Sequence, residues 1–283
     1  MCIVAIAWQL FDDLPLVLLS NRDEFLQRPT QPLHQWSDQP IYAGRDSQSG
    51  GTWLGVHQQP YSQQRQDFQI EEHQQSDIYQ NNGRWAAVLN FRDGVQASAD
   101  ERSRGELVTK FLTSDLSPMA FARQISLQDY AGFNLIVGNA EQAVIVNNRG
   151  YAPTALHSGL HVFSNGQPDE NWFKTEKLRG RLRQEVLPLI GENSRLNYWQ
   201  DAALRVMSDK TLAPEDKLPE TGVAKPIEQA LSSVFIAPIV LNDTAIKMPS
   251  YGTRTQSILT LQYEKLENLK IKVVIISRET VDA

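Results

Sequence analysis

The sequence predicts an α+β protein in which two stacked, mostly antiparallel sheets are covered by helices on the outside. Three observations lead there. Ile3-Val4-Ala5-Ile6-Ala7-Trp8 and Leu16-Val17-Leu18-Leu19 are apolar at every position rather than at alternate ones, the pattern of strands covered on both faces. Many more short strand-like runs follow, separated by pairs of helices rather than alternating with them one for one. The 283 residues, 41% hydrophobic and 21% charged, are enough for a substantial globular core.

The chain opens on the first of these strands, and Phe11-Asp12-Asp13-Leu14-Pro15 is the turn to the second. A tight turn at Asp12 and Asp13 sets Cys2 roughly opposite Asp23, so that Asn21, Arg22, Asp23 and Glu24 arrive beside it. A slip of one residue exchanges which of the four points at the thiol. Further strands are expected over 52–56, 84–91, 133–137, 143–147, 161–164, 234–236, 253–261 and 271–276. Helices are expected over 106–112, where Leu107, Phe111 and Leu112 recur at helical spacing, and over 118–125, where Ser117-Pro118 offers an N-cap and a first-turn proline. Two more are expected over 172–186, with Phe173, Leu178, Leu182 and Val186 as an apolar stripe, and over 197–207.

Residues 57–83 are rich in glutamine and asparagine and too poor in apolar side chains to build core, so they read as a long excursion between strands. His73 beside Glu71 and Glu72 reads there as solvated loop rather than a metal site. Residues 209–226, with Pro214, Pro219 and Pro226, read as a surface connector. No internal repeat is present, and residues 1–283 are read as one domain.

A net charge of −6 argues against nucleic acid as a partner, because phosphate neutralisation needs a concentrated basic face. No apolar run is long enough to predict a membrane-spanning helix, and the opening strand lacks the basic flank of a signal peptide. A single cysteine excludes an internal disulfide, and the expected compartment is the cytoplasm. Nothing here sets the oligomeric state.

That one cysteine is the second residue. Once Met1 is removed, a thiol of pKa about 8.5 and an α-amine of pKa about 7.7–8.0 share one carbon, and the amine can take the thiol's proton without a histidine. The competing reading is a small apolar residue opening a buried strand.

Several polar stretches interrupt the strand ends: Asn21-Arg22-Asp23-Glu24-Phe25 with Arg28-Pro29, Gly50-Gly51-Thr52-Trp53-Leu54-Gly55, Ser164-Asn165, and Tyr251-Gly252-Thr253-Arg254-Thr255. Together with Arg104-Gly105-Glu106-Leu107-Val108, Gly132-Phe133-Asn134-Leu135-Ile136, and Trp172 with Lys174, they resemble the NRDE family, also called Transport and Golgi organization 2, from Met1-Cys2 to about Leu261. That family is in turn similar to cysteine N-terminal-nucleophile (Ntn) hydrolases, on Cys2, Arg22, Asn165 and Arg254. The resemblance implies a four-layer αββα sandwich. One departure stands out: those hydrolases place an aspartate three residues after the second-strand arginine, whereas Phe25 occupies that position here and Asp23 and Glu24 follow Arg22 directly.

The implied chemistry is hydrolysis or acyl transfer at a small amide, with no cofactor required. Cys2 would attack the carbonyl, Arg22 would hold the thiolate, and Asp23 or Glu24 would orient Arg22 or the amine. Asn165 would donate to the oxyanion, and Arg254 would pair with a substrate carboxylate or with Asp23. Asn21, Glu24, Trp53, Asn90 and Asn134 complete the expected ligand-facing set. The alternative the family suggests is a non-catalytic carrier of haem, or of acyl-CoA-like ligands, in the same pocket. Cys2 would then be a thiolate ligand, with His34, His57, His157 and His161 as candidate imidazoles. The basic stretch Lys174, Lys177, Arg179, Arg181 and Arg183 would meet propionates or phosphates, or would simply be a solvated helix face. A third reading makes Trp36, Trp53, Trp85 and Trp172 a partner surface on a protein with a degenerate site.

Overall fold

The computed structural model describes residues 2–58, 76–80, 83–95, 98, 100–192, 198–240, 250–265 and 269–280. In chain order the elements are β1 (Cys2–Trp8), β2 (Leu16–Phe25), β3 (Thr30–Gln35), β4 (Ile41–Asp46), β5 (Leu54–His57), β6 (Ser76–Gln80), β7 (Trp85–Asn90), α1 (Gly105–Thr113), α2 (Pro118–Arg123), β8 (Phe133–Gly138), β9 (Ala143–Asn147), β10 (Thr154–Ala155) and β11 (Gly159–Phe163). There follow α3 (Phe173–Glu185), α4 (Leu187–Glu192), α5 (Tyr198–Met207), α6 (Lys225–Ala230), β12 (Ile239–Val240), β13 (Ser250–Lys265) and β14 (Leu269–Glu279).

The strands form two sheets, ordered β11-β1-β2-β13-β14-β6 (with β12 on β13) and β10-β9-β8-β7-β5-β4-β3. Every pairing is antiparallel. Strand alternation sorts most of the described apolar residues into three large cores, beside a small cluster of Leu231, Ile236 and Tyr251. Val4, Ile6, Trp8, Leu16, Leu18 and Leu259 of the first sheet meet Val56, Trp85, Leu89 and Ile136 of the second. The opposite face of the first sheet, including Ile3, Ala5, Val17 and Leu19, packs on Leu178, Leu182, Trp199 and Val206 of α3 and α5. The outer face of the second sheet, including Ala43, Val88, Leu135 and Val146, packs on Leu107, Phe111 and Phe121 of α1 and α2. The layers therefore run helices, sheet, sheet, helices, and the doubly apolar β1 and β2 are doubly buried as their sequence predicts.

Several expectations are corrected. Residues 234–236 form no strand; their apolarity reflects burial, Val234 in the helix-side core and Ile236 against Leu231 and Tyr251. The excursion 57–83 contains β6, which pairs with β14; residues 59–75, including His73, lie outside the described residues. The connector 209–226 carries a 3₁₀ turn at Glu215–Lys217 and leads directly into α6. Strands β3, β4, β10 and β12 and helices α4 and α6 were not expected.

Candidate functional site

Antiparallel pairing brings the start of β1 to the end of β2. Cys2 stands opposite Arg22, one residue from the expected Asp23. The reason is the loop: the hairpin closes through Gln9–Pro15, with the Gln9 amide on the Pro15 carbonyl at 2.9 Å, so the turn is not a two-residue one at Asp12-Asp13. Strand β13 lies on the other side of β2 and bulges between Thr253 and Thr255, setting Arg254 out of register at the same sheet end.

Strand alternation divides the NRDE stretch between two faces, and the one-residue shift decides which pair joins Cys2. Arg22 and Glu24 share the face of Cys2, toward the second sheet, while Asn21 and Asp23 face the helices. Arg22 lies between Asp46 (3.5 Å) and Glu24 (3.8 Å). Its guanidinium carbon stands 4.2 Å from the ring centre of Trp53. Asp46 also takes Arg28 at 2.6 Å, and Arg254 donates to the Arg28 carbonyl. Arg254 therefore anchors the chain after β2 and does not pair with Asp23. Glu24 accepts from the Phe25 amide at 2.9 Å.

On the helix side, the Asn21 amide donates to the carbonyls of Met207 and Val234 and accepts from Gln256, which ties β2 to α5 and to the segment after α6. It acts as a brace there. Asp23 accepts from the Thr253 hydroxyl at 2.6 Å. Burial pushes its carboxyl up, opposed first by the charge of the chain's amino terminus and then by Lys174 and the Thr253 hydrogen bond. Cys2 is 8% exposed, and burial likewise pushes its thiol up, joined by the Asp23 charge and opposed by the charge of the chain's amino terminus, the Asp23 backbone N–H and the Arg22 charge.

The third component is the turn after β11. The Ser164 hydroxyl donates to the Cys2 carbonyl at 3.1 Å. Asn165 is fully buried; its side-chain nitrogen donates to the Asn90 carbonyl at 2.8 Å, and its backbone carbonyl accepts from Arg92. Asn134 donates to the carbonyls of Ser164 and Gly166 and accepts from Asn147. Asn134 and Asn90 thus hold the turn between the sheets: one through its amide, the other through its backbone.

Sequence reasoning did not single out Asp46, Arg104 or Lys174 as site residues, although two of them lie in stretches that carry the family resemblance. Gly51 lies so close to α1 that a Cβ there would stand 2.6 Å from the Gly105 carbonyl carbon. That approach seats the Trp53 loop against the start of α1, where Arg104 donates to the Gly132 carbonyl. Burial lowers the Arg104 guanidinium, opposed by Glu24 and Cys2.

Other candidates fall elsewhere. His34, His57 and His161 each engage a backbone carbonyl, and His161 pairs with Ile6, four residues along β1 from Cys2. Lys177 and Arg181 are paired with Asp209, and Arg181 also with Glu185, so the basic face of α3 is largely neutralised. Trp36, Trp85 and Trp172 are buried, which removes the tryptophan partner surface. An open cleft of about 200 Å³ lies away from Cys2, between α1, α2 and the turn Leu127–Asp129. Among the described residues no helix is long and apolar enough to cross a membrane.

A family model described as Transport and Golgi organisation 2 matches residues 1–272. The chain is 28% identical over 258 residues to the Transport and Golgi organization protein 2 homolog of Bos taurus, covering 86% of this chain and 81% of that protein. It is 27% identical over 263 residues to the Homo sapiens homolog, with the same coverage of each. The chain belongs to the Transport and Golgi organisation 2 family.

Proposed function

We propose that this protein is a cytoplasmic hydrolase or acyltransferase of small amides, of the N-terminal-nucleophile type, with Cys2 as its nucleophile. The observation that carries the reading is the pairing of Cys2 with Arg22, together with the Ser164 hydroxyl on the Cys2 carbonyl at 3.1 Å. A buried thiol pushed up in pKa is poorly ionised at neutral pH, so the reaction needs a base coupled to it. Removal of Met1 supplies that base as the amine of Cys2 itself. The sulfur would add to the amide carbonyl while the amine takes its proton and returns it to the leaving nitrogen. Water or an acceptor amine would then release the acyl group. Arg22 stabilises the thiolate, and the second N–H of the Asn165 amide is the donor for the oxyanion. Asp23, buried behind Cys2, is the counter-charge of the new amine. A single thiol fits a reducing compartment.

The test is intact-mass measurement followed by trapping of an acyl-enzyme with small activated amides. The expected result is a chain lacking Met1 and an adduct on Cys2, with Asn165→Ala slowing its formation by roughly a hundredfold or more. Retained Met1 removes the base and sinks the enzyme reading. Retained Met1 with a Cys2-dependent Soret shift on haem titration would transfer the site to the carrier reading.

A further inference from the structure

Lys174 is the second residue of α3 and is 2% exposed. Its ammonium donates to Asn165 Oδ1 at 3.4 Å and to the Leu231 carbonyl at 3.3 Å. Burying an ammonium is unfavourable, and the first turn of a helix adds the repulsion of its positive dipole end. Packing does not ask for it, since Leu178 and Leu182 of the same helix fill the apolar contact with the first sheet.

The charges around Lys174 come from every side of its niche. Asp23 of β2, Cys2 of β1 and Glu228 of α6 attract it, and Arg92, just after β7, repels it. Glu228 is paired with Arg92 at 2.8 Å, so its charge is largely committed there. Asp23 is then the principal counter-charge of Lys174. At Asn165 the geometry is equally directional. The amide oxygen accepts from Lys174 and lies 3.1 Å from Ser164 Oγ, whose single proton it shares with the Cys2 carbonyl, while the nitrogen donates to the Asn90 carbonyl. Turning the amide over would set its NH₂ group against an ammonium and its oxygen against a carbonyl.

We propose that Lys174 is a positioning residue of the Cys2 centre: its ammonium locks the Asn165 amide with the nitrogen turned toward the second sheet, and keeps Asp23 a carboxylate beside the thiol. This rests on Cys2 being the functional centre. The device has an upper pH limit. Burial brings the Lys174 ammonium down to about 8. Above that pH the amide loses its charged anchor and Asp23 loses one of its two neighbouring cations, the other being the chain's amino terminus.

The test is the rate of alkylation of the single thiol by iodoacetamide across about pH 6–10. The native chain is expected to show a break near pH 8, where the neighbouring cation is lost. Lys174→Met is expected to diminish the break, leaving only the part that titration of the chain's own α-amine contributes, and to slow labelling below it by about three- to tenfold, the loss a thiolate suffers when a nearby cation is removed. A Lys174→Met profile that superimposes on the native one overturns the proposal, whatever that substitution does to stability. If Lys174→Met yields no folded protein, lysine ¹³Cε resonances of the unsubstituted chain and of Asp23→Asn decide. One lysine should titrate near pH 8 and move lower in Asp23→Asn; an unmoved midpoint overturns the proposal. Alkylation needs neither turnover nor a free amine, so failure of the hydrolase reading leaves this result separately readable.

Discussion

At the residue scale the site is a set of charges held where water is scarce, and Lys174 shows the consequence for stability. Its acidity in the folded chain, about 8, lies below the ordinary lysine value of 10.5. Between those two values the unfolded chain binds more protons, so this residue's contribution to stability rises with pH across that window; below it the full penalty is present. The gap corresponds to about 3 kcal/mol, from which the stranded hydrogen-bond partners of a Lys174→Met variant subtract about 1–2 kcal/mol. Lys174→Met is therefore expected to be more stable than the native chain by about 1–2 kcal/mol at pH 7, with the advantage vanishing by about pH 10. Urea denaturation at the two pH values reads this directly; a variant less stable at pH 7 would show that pairing outweighs burial. The same residue marks what the sequence could and could not disclose. That Cys2, Arg22 and Asn165 meet at one sheet end could be read from the sequence because each sits at the end of a recognisable apolar strand. Lys174 looked like one more cation on a basic helix face, since its partners Asp23, Asn165 and Leu231 are brought to it only by tertiary packing. Arg104 and Asp46 were hidden for the same reason.

At the element scale, residues that hold two segments together matter more than the segments' own propensities. The approach of Gly51 to Gly105 leaves no room for a side chain between the Trp53 loop and α1. Gly51→Ala should push that loop away, weaken the stacking of Arg22 on Trp53, and lower stability by about 1–3 kcal/mol, the usual loss from overpacking. A thermal melt measures the loss, and tryptophan fluorescence tracks the ring; an unchanged melt would show that α1 and the loop are free to separate. Of the paired glycines at this position, Gly51 allows the close approach and Gly50, at φ 75°, adopts a positive φ. The strands most easily read were those buried on both faces. Strand β3 escaped because Thr30–Gln35 is polar and half-exposed at a sheet edge, without clean alternation. Residues 234–236 misled in the opposite direction, since apolar content signals burial and burial does not require a ladder.

At the scale of the whole molecule, the two sheets share one core and one end. Trp8 and Trp85, from different sheets, are both fully buried in the layer between them. The turn at Asn165 bonds to Cys2 through Ser164 on one side and to Asn90 on the other. Cys2 stands on one sheet and the Asn90 anchor of the Asn165 turn on the other, so the arrangement survives only while the sheets stay together, and residues 1–283 should behave as one cooperative unit despite a length at which separate folding units are common. Ile136 of β8 points into the shared core, and Ile136→Ala should cost about 2–5 kcal/mol. If the unit is single, native-state hydrogen exchange in this variant will lose protection in β1 and β2 by the same free energy as in β7 and β8, although no residue of the first sheet has been changed. If β1 and β2 keep their native protection while β7 and β8 lose theirs, the sheets open independently. The Cys2 centre would then be assembled only while both happen to be closed, and thiol labelling in Ile136→Ala would accelerate in step with the opening of the second sheet alone.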